Sequence, residues 1–146
     1  MAKHVDFFIA SRWRNKDAVL SLTEKLRARG KTVYCFIESD GAENEILARK
    51  DSHEPEEYMQ LFENTPNWQS NSAIRHLFEM DMEALKNSKA LILLLPAGKS
   101  AHIEAGVAFG MKKKCILIGE QKEAESLYLI FAESYQTIDE FIDGLS

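Results

Sequence analysis

The stretch Ala90 to Leu95 (ALILLL) is apolar at every position, and no other segment limits the fold as strongly. A strand with one face in water alternates apolar and polar residues. A run without alternation has both faces covered and belongs at the centre of a parallel sheet, between layers of helix. The run stops at Pro96, far short of the ~20 residues that a membrane helix needs.

The flanking sequence supplies the layers. His4 to Ala10 (HVDFFIA) is a short run of β-formers. Polar Ser11 to Lys16 follows, then Val19, Leu20, Leu22 and Leu26 at helical spacing. Arg27, Arg29 and Gly30 form a cationic last turn with a glycine stop, and Thr32 to Ile37 (TVYCFI) reads as a second strand. The unit is βαβ, which implies a right-handed parallel crossover. A helix over Ser72 to Asn87 leads into ALILLL. After the loop Pro96 to Ser100 comes another helix, closing on the basic triplet Lys112 to Lys114, which suits a helix C-terminus. A strand over Cys115 to Gly119, a weak strand near Leu127 to Phe131 and a helix from Thr137 to Leu145 complete the pattern. This alternation predicts an α/β fold: a flavodoxin-like (Rossmann-like), doubly wound, parallel five-stranded sheet in three αβα layers.

At 146 residues the chain has the size of one domain, read here as 1–146. Segment 38–70 interrupts the rhythm. It is acidic, contains Pro55 and Pro66, shows one short helical candidate over Glu56 to Glu63, and reads as either a lid over a site or a mobile insertion. Trp68 within it reads first as an anchor for that segment. The N-terminus MAKHVDFFIA lacks a cleavable signal pattern, and Cys35 and Cys115 each lie inside a strand with no clamp-like partner. A cytoplasmic protein with two reduced core cysteines is expected. The formal charge is −5, from 18 basic and 23 acidic side chains, with no basic stripe interleaved with aromatics. Polymeric nucleic acid and membrane are therefore not the expected partners, whereas a small anion is compatible, because a helix start needs no net positive charge.

In a doubly wound sheet, ligands bind beyond the strand C-termini where the winding reverses, between the loops after strands one and three. Those loops carry Ser11, Arg12, Trp13 and Arg14 on one side and Gly98, Lys99 and Ser100 on the other. Gly98 is expected to permit a strained turn and Ser100 to cap the helix, leaving backbone N–H groups and the Lys99 ammonium for a phosphate or carboxylate. The same Gly and Ser also serve turn geometry alone. Glu104, read as lying in the first turn of this helix, faces the crevice, although the helix dipole favours glutamate in any first turn. His102 is read as an anion contact or as orienting Glu104, with a partly exposed surface histidine as the plain alternative. Asp81 is a second acid of interest or simply part of a solvated helix face. Gly106 and Gly110 are read as close packing of helix on sheet. No Cys or His cluster has metal-ligand spacing.

The order FEMDMEALKNSKALILLLP then GKSAHIEAGVAFGMKKKCILI resembles the nucleoside 2-deoxyribosyltransferase superfamily, which includes the 2'-deoxynucleoside 5'-monophosphate N-glycosidases. The resemblance covers about two-thirds of the chain. It implies cleavage or transfer at an N-glycosidic bond without a cofactor, on a nucleoside or nucleoside 5'-monophosphate. It sets Glu104 at the catalytic carboxylate, Asp81 at the acid that assists the base, and Ser11, Arg12 and Ser100 at ligand-loop positions. It also implies a homodimer or higher homo-oligomer, because relatives complete their pockets from a neighbouring subunit. Two departures stand out. The family's first-strand tyrosine, whose hydroxyl contacts the carboxylate, is matched here by Phe7, so that orientation of Glu104 falls to another group such as His102. And in a helix unbroken to Asn87, Asp81 lies ~9 Å above the lower end, short of the sheet top. The opening DFFIASRWRNKDAVLSLTEKLRARGKTVY is also similar to TIR-type domains, some of which cleave NAD. A non-catalytic nucleotide sensor is the third reading.

Overall fold

In a computed structural model, the protein is described over residues 4–38, 64–123 and 125–145. The chain divides into two compact units, Met1–Ile37 with Ala84–Ser146, and Glu38–Glu83. The helical candidate at 56–63 lies outside the described residues.

The first unit is built on five parallel strands, β1 (Val5–Ala10), β2 (Val33–Cys35), β3 (Ser88–Leu94), β4 (Lys114–Ile118) and β5 (Glu133–Tyr135), in the order β2-β1-β3-β4-β5. This is the doubly wound sheet expected from the sequence, with ALILLL near its middle. Leu91, Ile92 and Leu93 are fully buried. Their neighbours along the strand alternate between two cores. Phe7, Ile9, Ala90, Ile92, Leu94, Ile116 and Ile118 join α1 (Lys16–Ala28) and the C-terminal helix α4 (Ile138–Asp143) on one face. The opposite face carries α3 (Lys99–Gly110), whose buried alanines 101, 105 and 108 lie over β3, β4 and β1. Cys115 points the same way, its Sγ 3.6 Å from the Ala105 carbonyl oxygen. Both cysteines are buried and unpaired, as expected.

Local chemistry explains the boundaries. In α1 the buried residues Val19, Leu22, Thr23 and Leu26 follow the i, i+3, i+4, i+7 spacing, and the buried Thr23 hydroxyl donates to the Val19 carbonyl at 2.8 Å. Gly30 adopts φ +77°, the left-handed conformation that ends a helix at little cost when no Cβ is present. Helix α4 starts at Thr137, which accepts from the Glu140 backbone N–H, while the Glu140 carboxylate accepts from Gln136 N–H. No helix among the described residues is long and apolar enough to cross a membrane.

Three expectations are corrected. The apolar run near Leu127–Phe131 is a 3-10 turn (Ser126–Ile130), and the last strand is Glu133–Tyr135. In the turn, Leu127 and Leu129 are exposed, so the run does not fill the core that a strand would have filled. The basic triplet does not close α3. The helix ends at Gly110, Lys113 Nζ donates to the Lys86 carbonyl at 2.7 Å, and Lys114 begins β4 and pairs with Glu133. Gly106 and Gly110 are not helix-to-sheet contacts either. Both are exposed, and a Cβ at either would meet nothing within 4 Å. Gly106, in the helix interior, therefore weakens it by about 0.8–1.0 kcal/mol relative to alanine with no packing return inside the chain, while Gly110 is the last residue of the helix.

Within the second unit, Asn71 caps the helix α2 (Ser72–Lys86) by accepting from Ala73 N–H at 3.0 Å and Ile74 N–H at 3.1 Å. Trp68, in the turn Trp68–Ser70, is exposed.

The start of the sheet is pinned by Asp6. Its carboxylate accepts from the Thr32 backbone N–H at 2.9 Å and the Thr32 hydroxyl at 3.1 Å, and Lys89 Nζ lies 3.4 Å away. The Thr32 backbone bond above all holds the Asp6 carboxyl below its usual 3.8. A depressed carboxyl pKa stabilises the fold above the unfolded-state value, and that stabilisation fades as pH falls through the folded-state value. Urea melts of the wild type and Asp6→Asn should therefore differ most near neutral pH and converge as the pH falls through the depressed folded-state value. A gap that widens on acidification would contradict this assignment.

Candidate active site

The winding reverses between β1 and β3, so the chain leaves these neighbouring strands toward opposite faces of the sheet. The two following loops meet at the C-terminal edge. Ser11 Oγ donates to the Leu94 carbonyl at 2.8 Å and lies 3.4 Å from that of Pro96. Asn15 Nδ2 in turn donates to Ser11 Oγ at 3.1 Å and lies 3.5 Å from the Leu95 carbonyl. The Ser11 proton is thus committed to the second loop, and toward a ligand this hydroxyl can only accept. Asn15 was not singled out in the sequence. The available signal was its place four residues after Ser11 at the helix start, but asparagine there ordinarily caps its own helix. In this chain it makes no side-chain cap and crosses to the neighbouring loop instead.

The second loop differs from expectation in detail. The helix α3 begins at Lys99 with Gly98, not Ser100, at the cap. Gly98 has φ −97°, ψ −174°, ordinary extended backbone, so no strained turn is present. A Cβ there would only touch Arg12 Cβ at 3.9 Å. The Leu95–Pro96 peptide is cis. Gly119, immediately after β4, has φ +116°, and a Cβ would come within 2.8 Å of Leu95 Cβ, so glycine is required where this turn packs.

Neither α1 nor α3 has a side-chain cap, and both begin at this edge. At α1 the Lys16 N–H is taken by the Trp13 carbonyl of the preceding turn, so the open backbone N–H groups are those at the start of α3, which with the positive end of its dipole make the edge suited to an anion. Arg12 lies between the two loops, its Nε buried with no hydrogen-bond partner among the described residues. A buried guanidinium donor in that condition is destabilising unless something accepts from it. Lys99 and Ser100 occupy the exposed first turn of α3, and Arg14 is exposed on the turn Trp13–Asn15, where Lys16 Nζ lies 5.6 Å above the Trp13 ring.

Glu104 is the sixth residue of α3, not part of its first turn, which holds no acid. The dipole effect fades within one turn, so it gives no reason for a glutamate at this place. Glu104 is half-buried and flanks the stripe of Ala101, Ala105 and Ala108. His102 lies on the other flank. At about 100° per residue the two side chains diverge by roughly 160° around the axis. His102 Nδ1 is 2.9 Å from the Gly98 carbonyl, and its ring meets Tyr128 edge-on at 6.0 Å. Because Tyr128 belongs to the β4–β5 connection, the Glu104 flank is the one turned toward β1. His102 therefore shapes the loop and does not orient Glu104. The Phe7 comparison also changes. Phe7 packs against Phe141 at 5.9 Å in the α1/α4 layer, and the first-strand residue on the α3 face is Phe8, stacked on Tyr34 at 5.0 Å.

Asp81 is half-buried and belongs to the second unit. Its helix runs unbroken from Ser72 to Lys86.

No family model and no curated protein matches the chain. Two solved structures share its fold. The CMP N-glycosidase of Clostridium botulinum is similar over 94% of this chain and 96% of its own, at 18% identity and a TM-score of 0.56. The 2-deoxyribosyltransferase of the psychrotolerant bacterium Bacillus psychrosaccharolyticus is similar over 97% of this chain and 92% of its own, at 13% identity and a TM-score of 0.63. At these identities the likeness is one of fold, and it is the doubly wound fold expected from the alternation of strands and helices in the sequence.

Removing the Ser11 hydroxyl should leave the Leu94 carbonyl and Asn15 amide short of a partner. Ser11→Ala is expected to lower unfolding free energy by about 1–3 kcal/mol in urea titrations. A change below a few tenths would mean that the two loops do not depend on this bond.

Proposed function

We propose that this chain is an enzyme that cleaves, or transfers across, the N-glycosidic bond of a nucleoside or nucleoside 5'-monophosphate. The observation that carries the reading is the pairing of an anion-suited edge with a half-buried carboxylate farther down the same helix. Glu104 lies ~7.5 Å along the α3 axis from Lys99. The fold shared with an N-glycosidase and a deoxyribosyltransferase supports the same chemistry.

In this reading a phosphate is held by the N–H groups at Gly98, Lys99 and Ser100 with Arg12 donating from the side, and Ser11 accepts from a sugar hydroxyl. As the bond to the base breaks, positive charge builds at the anomeric carbon. The Glu104 carboxylate stabilises that charge or attacks the carbon, as carboxylates do in glycosidases. The base departs with the bonding electrons, and Asp81, sharing a proton with it, lowers the barrier to its leaving. Water or a second base then takes the sugar. The proposed chemistry uses no cofactor. The reading also takes 1–146 as one catalytic domain with 38–70 as an insertion, working in the cytoplasm as a homodimer or higher homo-oligomer.

Incubation with a panel of ribo- and deoxyribonucleosides, their 5'-monophosphates and NAD, followed by chromatography, tests it. Free base from a nucleoside or monophosphate is expected, with Glu104→Gln at least ~100-fold slower, the scale lost with a key charge-stabilising group. Nicotinamide release from NAD alone would favour the TIR-like reading. Tight binding without product would favour a sensor, and full turnover by Glu104→Gln would remove Glu104 from the mechanism.

A further inference from the structure

We propose that His102 is a positioning residue for the anion-binding edge: its ring fixes the Gly98–Lys99 peptide so that the Lys99 N–H points out of the helix start toward a bound anion. The inference rests on the reading of this edge given above and adds what holds the edge in shape. Nδ1 of His102 lies 2.9 Å from the Gly98 carbonyl oxygen, which can only accept, so Nδ1 carries the proton. The helix's own bond to the same oxygen, from the His102 backbone N–H, is longer at 3.3 Å. The side chain therefore supplies the shorter of the two bonds at this cap. It acts where the backbone most needs holding, because Gly98 makes no side-chain cap and has no Cβ to restrict its conformation.

A trans peptide is planar, with its C=O and N–H directed oppositely. Drawing the Gly98 oxygen down the helix toward His102 thus turns the Lys99 N–H outward. Arg12 stands beside the same residue, its Cβ 3.9 Å from where a Gly98 Cβ would lie, and its buried Nε has no hydrogen-bond partner among the described residues. Two donors that one anion can serve are therefore next to Gly98, one through the chain and one through space. The imidazole is itself held from behind. It meets Tyr128 edge-on at 6.0 Å, and Tyr128 stacks on Phe131 at 6.0 Å, so the β4–β5 connection reaches the anion edge through this one ring.

Asparagine places an amide nitrogen where Nδ1 stands, whereas phenylalanine keeps a ring against Tyr128 but donates nothing, so the two substitutions separate the bond from the packing. Titration of the full chain with inorganic phosphate, followed at the Lys99 backbone amide by heteronuclear NMR, needs no turnover and can fail or hold apart from the proposed reaction. The wild-type Lys99 amide should shift as phosphate binds. His102→Asn should keep phosphate affinity within about threefold, and His102→Phe should weaken it at least about tenfold, the scale of one hydrogen bond to a charged group. His102→Gln, whose amide falls at the place of Nε2, should behave as His102→Phe and replaces it if that variant does not fold. With a nucleoside 5'-monophosphate as substrate, His102→Phe should raise KM and leave kcat unchanged, the signature of lost ground-state binding. A wild-type Lys99 amide that phosphate does not move, equal affinity in all the variants, or a loss with His102→Asn as large as with His102→Phe would overturn the proposal.

Discussion

The pairing of β1 with β3 is the constraint from which the rest follows. Because β2 adds on the far side of β1 and β4 on the far side of β3, the chain leaves these two strands in opposite directions. The sheet edge between them cannot be covered by either connection, which is why doubly wound folds bind ligands there. What is particular to this chain is how the two loops are joined. The Ser11 hydroxyl and the Asn15 amide, both from the β1 side, bond to successive carbonyls on the β3 side. These contacts use side chains that would otherwise cap helices or bind solvent, and they leave the start of α3 open toward the edge.

Electrostatics and position then divide the work within α3. Its first turn offers backbone donors, and its second turn offers a carboxylate on the flank facing β1. Glu104 is half-buried and lies beyond the reach of the terminal dipole. His102, so close in sequence, faces away and is engaged with the Gly98 carbonyl and Tyr128. One helix thus presents three faces, one covering the sheet, one carrying Glu104 on the side of β1 and one apolar and outward.

Much of this was legible in the sequence. ALILLL located the sheet centre, the spacing of Val19 to Leu26 and Gly30 located α1 and its end, and the alternation of elements led to the meeting of the loops after Ala10 and Leu94. Other features were not legible, for specific reasons. HVDFFIA has no strict alternation, so which of Phe7 and Phe8 faces α3 is settled only by pairing with the neighbouring strands. LYLIF has strand-forming residues but curls into a turn, and the real edge strand, ESY, is three residues long and too short to show a pattern. Ser100 is a good cap by type, but the cap is Gly98, two residues earlier. Gly106 and Gly110 share a spacing that marks close packing, but a Cβ at either would meet nothing within 4 Å.

The most direct test of the account is a crystal structure of Glu104→Gln bound to a nucleoside 5'-monophosphate. The account predicts the phosphate at the start of α3, within hydrogen-bond distance of Arg12, and the anomeric carbon beside the side chain at position 104. A phosphate bound away from that edge, or an anomeric carbon out of reach of residue 104, would contradict it.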